Sequence, residues 1–150
     1  MREILFRAKR IDNGEWVEGN LIYSFDVDEE FRAIIVPVKD SGMYEWNRNP
    51  DLGLETWYKV DPKTICQYTG LSDKNGNRIW ENDIVRCNRR EKEAKYKLVW
   101  DKTYADFRIE KLNGLGIMPI CIEEGNTPVF GRHYECIGNI FDNPELLKGE

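Results

Sequence analysis

Lys95-Tyr96-Lys97-Leu98 and Asp106-Phe107-Arg108-Ile109-Glu110 alternate polar and apolar side chains residue by residue. Successive side chains of a strand point to opposite faces, so a period of two predicts antiparallel strands with one wet face and one core face. Around these two stretches, residues 83–87, 95–100, 107–111, 117–122 and 134–141 form short apolar-rich segments with turn residues between them. Five short strands suit a small barrel or a curled sheet.

Three Asn-Gly dipeptides, Asn13-Gly14, Asn75-Gly76 and Asn113-Gly114, punctuate the chain. Both residue types tolerate the positive φ that tight hairpin corners require, so each predicts a hairpin tip. The first joins residues 3–9 to 15–23 in an N-terminal hairpin. Residues 31–38 have strand composition, with Pro37 placing them at an edge or a strand end. Residues 39–51 turn polar and irregular, predicting a loop or insertion that reaches to about residue 53, before 54–60 resumes strand-like apolarity. Helical signals are sparse. Asn143-Pro144-Glu145-Leu146-Leu147 sets a capping Asn before a first-turn Pro and predicts one closing helical turn.

The 150 residues fit one unit, with a soft subdivision into an N-terminal hairpin region (1–60) and a C-terminal part (61–150). A hydrophobic fraction of 41%, with five Trp, seven Tyr and six Phe, supplies one core, while 33% charged residues keep the outside wet. A net charge of -5 and a pI near 5.1 set the average field against phosphate backbones. The start lacks a signal-peptide core, and no stretch approaches the ~18 apolar residues of a membrane span, which predicts a cytoplasmic protein without membrane contact. Cys66, Cys87, Cys121 and Cys136 form no C-x-x-C pair and fit reduced thiols.

The segment Asp61-Pro62-Lys63-Thr64-Ile65-Cys66-Gln67-Tyr68-Thr69-Gly70-Leu71, then Asp73-Lys74-Asn75-Gly76 and Trp80-Glu81-Asn82-Asp83-Ile84-Val85, resembles the YopX family of phage and prophage proteins. The ending from Ile137-Gly138-Asn139 to Leu146-Leu147 and the opening Arg2-Glu3-Ile4 with Phe6-Arg7-Ala8 resemble that family as well. The resemblance implies phage origin and an SH3-like barrel in the C-terminal part, and carries over no catalytic residues. Asn82 stands where the family usually shows Gly. The change is mild, because Asn also tolerates the left-handed conformation such a turn uses.

Turn chemistry accounts for the central motif: Gly70 and Asn75-Gly76 permit tight corners, Asp73 can accept backbone amides, and Ile79, Ile84 and Val85 fill the core. The functional reading of the same stretch is a partner surface of Tyr68, Asp73, Trp80, Glu81 and Asp83 at one barrel end. Glu81 and Asp83, two apart in a strand, could share magnesium or a proton, but adjacency is common among 27 acidic residues. His133 and Cys136 make an H-x-x-C spacing that needs further ligands to hold zinc, and buried structural thiols are the simpler reading.

Residues 86–97 carry six basic side chains against two acidic ones. Their simplest reading is a solvated hairpin loop. Arg86, Arg89, Arg90, Lys92, Lys95 and Tyr96 are the candidate nucleic-acid contacts, since small barrels bind single strands with aromatics and a positive groove. Of the five tryptophans, Trp46 is expected at a surface.

Fold and function remain separate inferences. The sequence reading favours a non-catalytic phage accessory or binding module with a host or phage protein as partner and no cofactor. A nucleic-acid-binding barrel ranks second, and a metal-dependent hydrolase or nuclease using Glu81, Asp83 or His133 third. Exposed strand edges also permit self-association.

Overall fold

The computed structural model describes residues 3–26, 28, 32–39, 41–45, 52–88, 94–112, 116–120, 123–124, 127–128 and 130–148. The chain divides into two compact units, Met1–Gln67 and Tyr68–Glu150.

In the first unit, β1 (Phe6–Lys9) and β2 (Trp16–Tyr23) form the N-terminal hairpin around Asn13-Gly14, with Ala8 opposite Val17 and Lys9 opposite Trp16. β2 pairs in turn with β3 (Ala33–Pro37), whose last residue is the proline that cannot donate to a ladder. A second ribbon is made by β4 (Met43–Glu45) and β5 (Leu52–Leu54). β6 (Tyr58–Lys59) pairs with β3, and the next residue, Val60, bridges to Arg10 at the end of β1. Ala8, Ala33, Ile35 and Val60 form the small core, with Phe6, Val17, Leu21 and Ile65 packed against it. A 3-10 turn at Pro62–Thr64 follows, capped by Asp61, whose Oδ1 accepts from the Lys63 amide at 2.9 Å. The Thr64 hydroxyl accepts from the Lys9 amide at 2.9 Å and ties this turn to β1.

β7 (Cys66–Ser72) begins beside β1, and its later residues pair with β8 (Arg78–Trp80) around the Asn75-Gly76 corner. The main sheet of the second unit runs in the order β12-β11-β10-β9-β15, all antiparallel, from β9 (Asp83–Cys87), β10 (Ala94–Asp101), β11 (Asp106–Lys111), β12 (Ile117–Pro119) and β15 (Tyr134–Asn139). β13 (Glu123–Glu124) and β14 (Thr127–Pro128) form a two-residue ribbon, and α1 (Phe130–His133) leads into β15. The two-residue alternation of these strands is borne out: Leu98 and Ile109 face each other across β10 and β11 inside the core, while Lys97 and Glu110 form a 2.7 Å ion pair on the opposite face. Val85, Cys87, Ile79, Phe130 and Tyr134 complete this second core, where the Phe130 and Tyr134 rings stack at 4.3 Å.

The mainly-β expectation holds, and barrel closure is not detected: among the described residues the five-stranded sheet ends at β12 on one side and β15 on the other. Asn113-Gly114 lies outside the described residues, although the strands it links, β11 and β12, do pair. Within residues 39–53, read as an irregular insertion, β4 and β5 pair instead, a ribbon too short for its apolar residues to show against polar neighbours. The strand expected over 54–60 is divided: Leu54 ends β5, Tyr58–Lys59 form β6, and Val60 makes a single bridge. The closing turn exists as a 3-10 turn at Pro144–Leu147, but the Asn143 side chain does not cap it. Its Oδ1 accepts from the Asn139 amide and its amide reaches Glu145, so the backward contact to β15 has replaced the cap. No helix among the described residues is long and apolar enough to cross a membrane.

Gly19 sits opposite Pro37, and a Cβ there would run into the Val36 carbonyl and the Pro37 backbone, whereas a Cβ on Gly14 would meet open space with only its positive φ to strain it. Gly19→Ala should therefore lower stability by about 3 kcal/mol and Gly14→Ala by about 1–2 kcal/mol. Thermal and urea unfolding of the two variants checks the order.

Candidate functional site

The central motif folds into a hydrogen-bonded scaffold around one carboxylate. Asp73 is 3% exposed; its Oδ1 accepts from the amides of Asn75 and Asn77, both at 2.9 Å. Its Oδ2 accepts from the Asn77 side chain at 3.2 Å and from the Cys136 amide of β15 at 3.1 Å. Burial alone would push this carboxyl up, but the Asn77 and Cys136 amides, the Asn77 side chain and the Asn75 amide outweigh it and hold the group below its ordinary value. Beside it, the Lys74 amide donates to the Tyr134 carbonyl, so the Asn75-Gly76 corner is tied to β15 by backbone as well as side chain.

Of the five residues read as a partner surface, the structure turns three inward: Asp73, Trp80 (2% exposed) and Asp83 (1% exposed). Oδ2 of Asp83 accepts from the Trp80 amide at 2.8 Å across a corner in which Asn82 adopts φ 65°. Glu81 lies in that corner and is not in an extended strand with Asp83, so the shared-face geometry behind a metal or proton pair is not formed. Tyr68 is half-buried, with its ring 5.4 Å from Trp80 and the Arg78 guanidinium 5.4 Å above it. Among the described residues no group of three or more His, Cys, Asp or Glu side chains is placed to hold a metal ion.

Arg89, Arg90 and Lys92 lie outside the described residues, as do Trp46 and Cys121. Arg86 donates to Glu135 at 2.9 Å, and Lys74 meets the same carboxylate at 2.8 Å, which holds Glu135 below its ordinary range. Lys95 lies opposite Arg86 in the ladder. Tyr96 packs against the core, and burial pushes its phenol up, so its ring is a wall of the interior more than a platform for a base. His133 ends α1, and the Cys136 thiol lies 3.6 Å from the Gly138 carbonyl; Cys66, buried in the first unit, points to the Thr64 carbonyl.

The concentrated exposed chemistry lies elsewhere, in the first unit. A cleft of about 720 Å³ is lined by Lys9, Arg10, Arg32 and Lys63 against one carboxylate, Asp61. Two smaller hollows share lining residues with it: one of about 320 Å³ shares Ile11 and is lined also by Asp12, Trp57, Tyr58 and Lys59, and one of about 350 Å³ shares Arg10 and is lined also by Glu15, Trp16, Lys39 and Tyr58. Cations stack on the aromatics, Arg10 on Tyr58 at 4.0 Å and Arg7 on Trp16 at 4.6 Å. The Arg10 fork is also engaged by Asp12, so this guanidinium shapes the wall. Sequence reading missed this face because its cations are scattered from Arg7 to Lys63 with no basic run. The Lys9–Trp16 juxtaposition, produced by the first hairpin, was the one local signal.

A family model described as YopX protein matches residues 5–148. No curated protein matches the chain. The crystal structure of protein EF1440 from Enterococcus faecalis resembles it with a TM-score of 0.62 at 23% sequence identity, over 99% of this chain and 100% of that one. At that identity the likeness concerns the fold alone.

Because the Asp73 carboxyl titrates lower in the folded chain than in the unfolded one, the stability it contributes is full above its unfolded pKa of about 3.9. That contribution is lost as pH falls through the folded value. Asp73→Asn, which turns an amide donor toward donors, should cost about 2–3 kcal/mol at neutral pH and flatten the loss of stability below pH 4. Urea midpoints measured across that range check both effects.

Proposed function

Since this chain belongs to the YopX family, we propose that it is a phage or prophage accessory module, acting in the host cytoplasm without catalysis by binding a negatively charged macromolecule through its first unit. The observation that carries this reading is the set of hollows around Arg10 and Tyr58, whose linings hold six cations, Lys9, Arg10, Arg32, Lys39, Lys59 and Lys63, against three carboxylates, Asp12, Glu15 and Asp61, on a chain whose net charge is -5. A local positive concavity with low-dielectric walls attracts anions even when the average field repels them. The non-catalytic part is supported by the central motif, whose Asp73 and Asp83 carboxylates are engaged in holding turns.

An immobilised sulfated polysaccharide is the direct probe. The wild-type chain is expected to be retained at low ionic strength despite its acidic pI and to elute as salt screens the contact. A Lys39→Glu/Lys63→Glu variant, altered at two exposed positions, should pass through unretained with an unchanged circular dichroism spectrum. Flow-through of the wild-type chain at low salt removes the proposal.

A further inference from the structure

The connection from β2 to β3 carries chemistry of the opposite sign. Between residues 24 and 31 the sequence holds four carboxylates, Asp26, Asp28, Glu29 and Glu30, and no basic residue. The Ser24 amide donates to the Arg32 carbonyl at 2.9 Å and continues the ladder past Tyr23, so Phe25 and Asp26 stand beyond its end. Phe25 is 83% exposed, and its ring meets that of Tyr23, itself 40% exposed, edge-to-face at a centroid distance of 5.0 Å. Two aromatic rings left together in water mark a contact surface, because they bury large apolar area once covered. Asp26 and Asp28 follow Phe25 and are exposed, and among the described residues neither carboxylate takes part in a hydrogen bond or ion pair. This tip is separate from the linings of the hollows around Arg10 and Tyr58.

We infer that this tip docks a cationic segment of a partner protein through arginine, with a guanidinium laid on Phe25 and bonded to Asp26 or Asp28. The occupant follows from charge and shape. An acidic rim repels an anion, and a purely apolar partner would strand the carboxylates at a desolvated contact. A lysine ammonium meets a carboxylate as a point charge, whereas a planar guanidinium covers an aromatic face and forks onto a carboxylate at the same time. The chain satisfies two of its own guanidiniums in this manner. Arg10 lies 4.0 Å over Tyr58 and is bonded to Asp12, and Arg108 lies 3.6 Å over Tyr104 and is bonded to Asp106 at 2.7 Å. Phe25 with Asp26 presents the same ring and carboxylate, with no arginine over it among the described residues. The inference goes beyond the anion-binding reading: it concerns another surface of the first unit and a ligand of opposite charge.

Fluorescence anisotropy of a labelled eight-residue peptide alternating arginine and glycine, titrated with the full chain, tests this against a lysine–glycine peptide of equal charge. The arginine peptide should bind several-fold more tightly. Phe25→Ala and Phe25→Leu, which change no charge, should each weaken it about threefold and erase its advantage over the lysine peptide. Asp26→Lys should weaken it about tenfold or more. Glu145→Lys, the same change of charge at an exposed position of the second unit, should leave the affinity within about twofold. Unchanged melting temperatures show that the variants remain folded. Equal binding of the two peptides with indifferent Phe25 variants overturns the inference, as does an equal loss in Glu145→Lys, because either result reduces the contact to the average field of a chain with net charge -5. Failure of the arginine peptide to bind at low ionic strength also overturns it, and each of these results leaves the polyanion proposal standing.

Discussion

A single buried carboxylate organises the second unit. Asp73 receives two amides from its own corner, an amide side chain from Asn77 and the Cys136 amide from β15, a residue 63 positions further along the chain. A charged group that deep is stable only while its lone pairs are filled. The corner's conformation and the seating of the last strand are therefore mutually dependent. Ile79 and Tyr134, on the two elements joined in this way, lie in the same core, so apolar packing and the polar hub reinforce one another.

The motif richest in suggestive side chains is thus where the chain spends its polar groups on itself. Asp83 repeats the arrangement on a smaller scale by accepting the Trp80 amide over the left-handed Asn82. Glu135, between Lys74 and Arg86, neutralises a cation that a linear reading assigns to a nucleic acid. Against this inward-directed chemistry, the first unit exposes Lys39, Lys63 and the Trp57 indole along concave surface. Charge placement matters here more than charge total: a net of -5 coexists with a cleft in which cations outnumber carboxylates four to one.

Much of the fold was legible along the chain. The period of two in β10 and β11, the Asn-Gly corners at 13–14 and 75–76, and Pro37 at a strand's end are local signals, and each acts through bonds or neighbours within a few residues. Elements whose reasons are non-local were not legible. The β4–β5 ribbon needs partners across a polar stretch, α1 is a single turn, and the Asn143 side chain leaves the cap position for Asn139. The candidate site was the least legible part. Its cations come from both ends of the first unit, so no window of sequence holds more than a few of them.

By itself the sequence determined the class of the protein: antiparallel strands, tight corners at residues that accept positive φ, and membership in a family recognisable from four separated blocks. Only the tertiary structure decided which polar groups face inward and which face water. Alternation states that two faces exist, but burial of Asp73, Trp80 and Asp83, and exposure of Trp57 and Lys63, follow from strand pairings that join distant residues. The physical reason is that a side chain's solvation is set by what packs over it, and what packs over it is fixed by long-range hydrogen bonds and core contacts that local pattern does not encode.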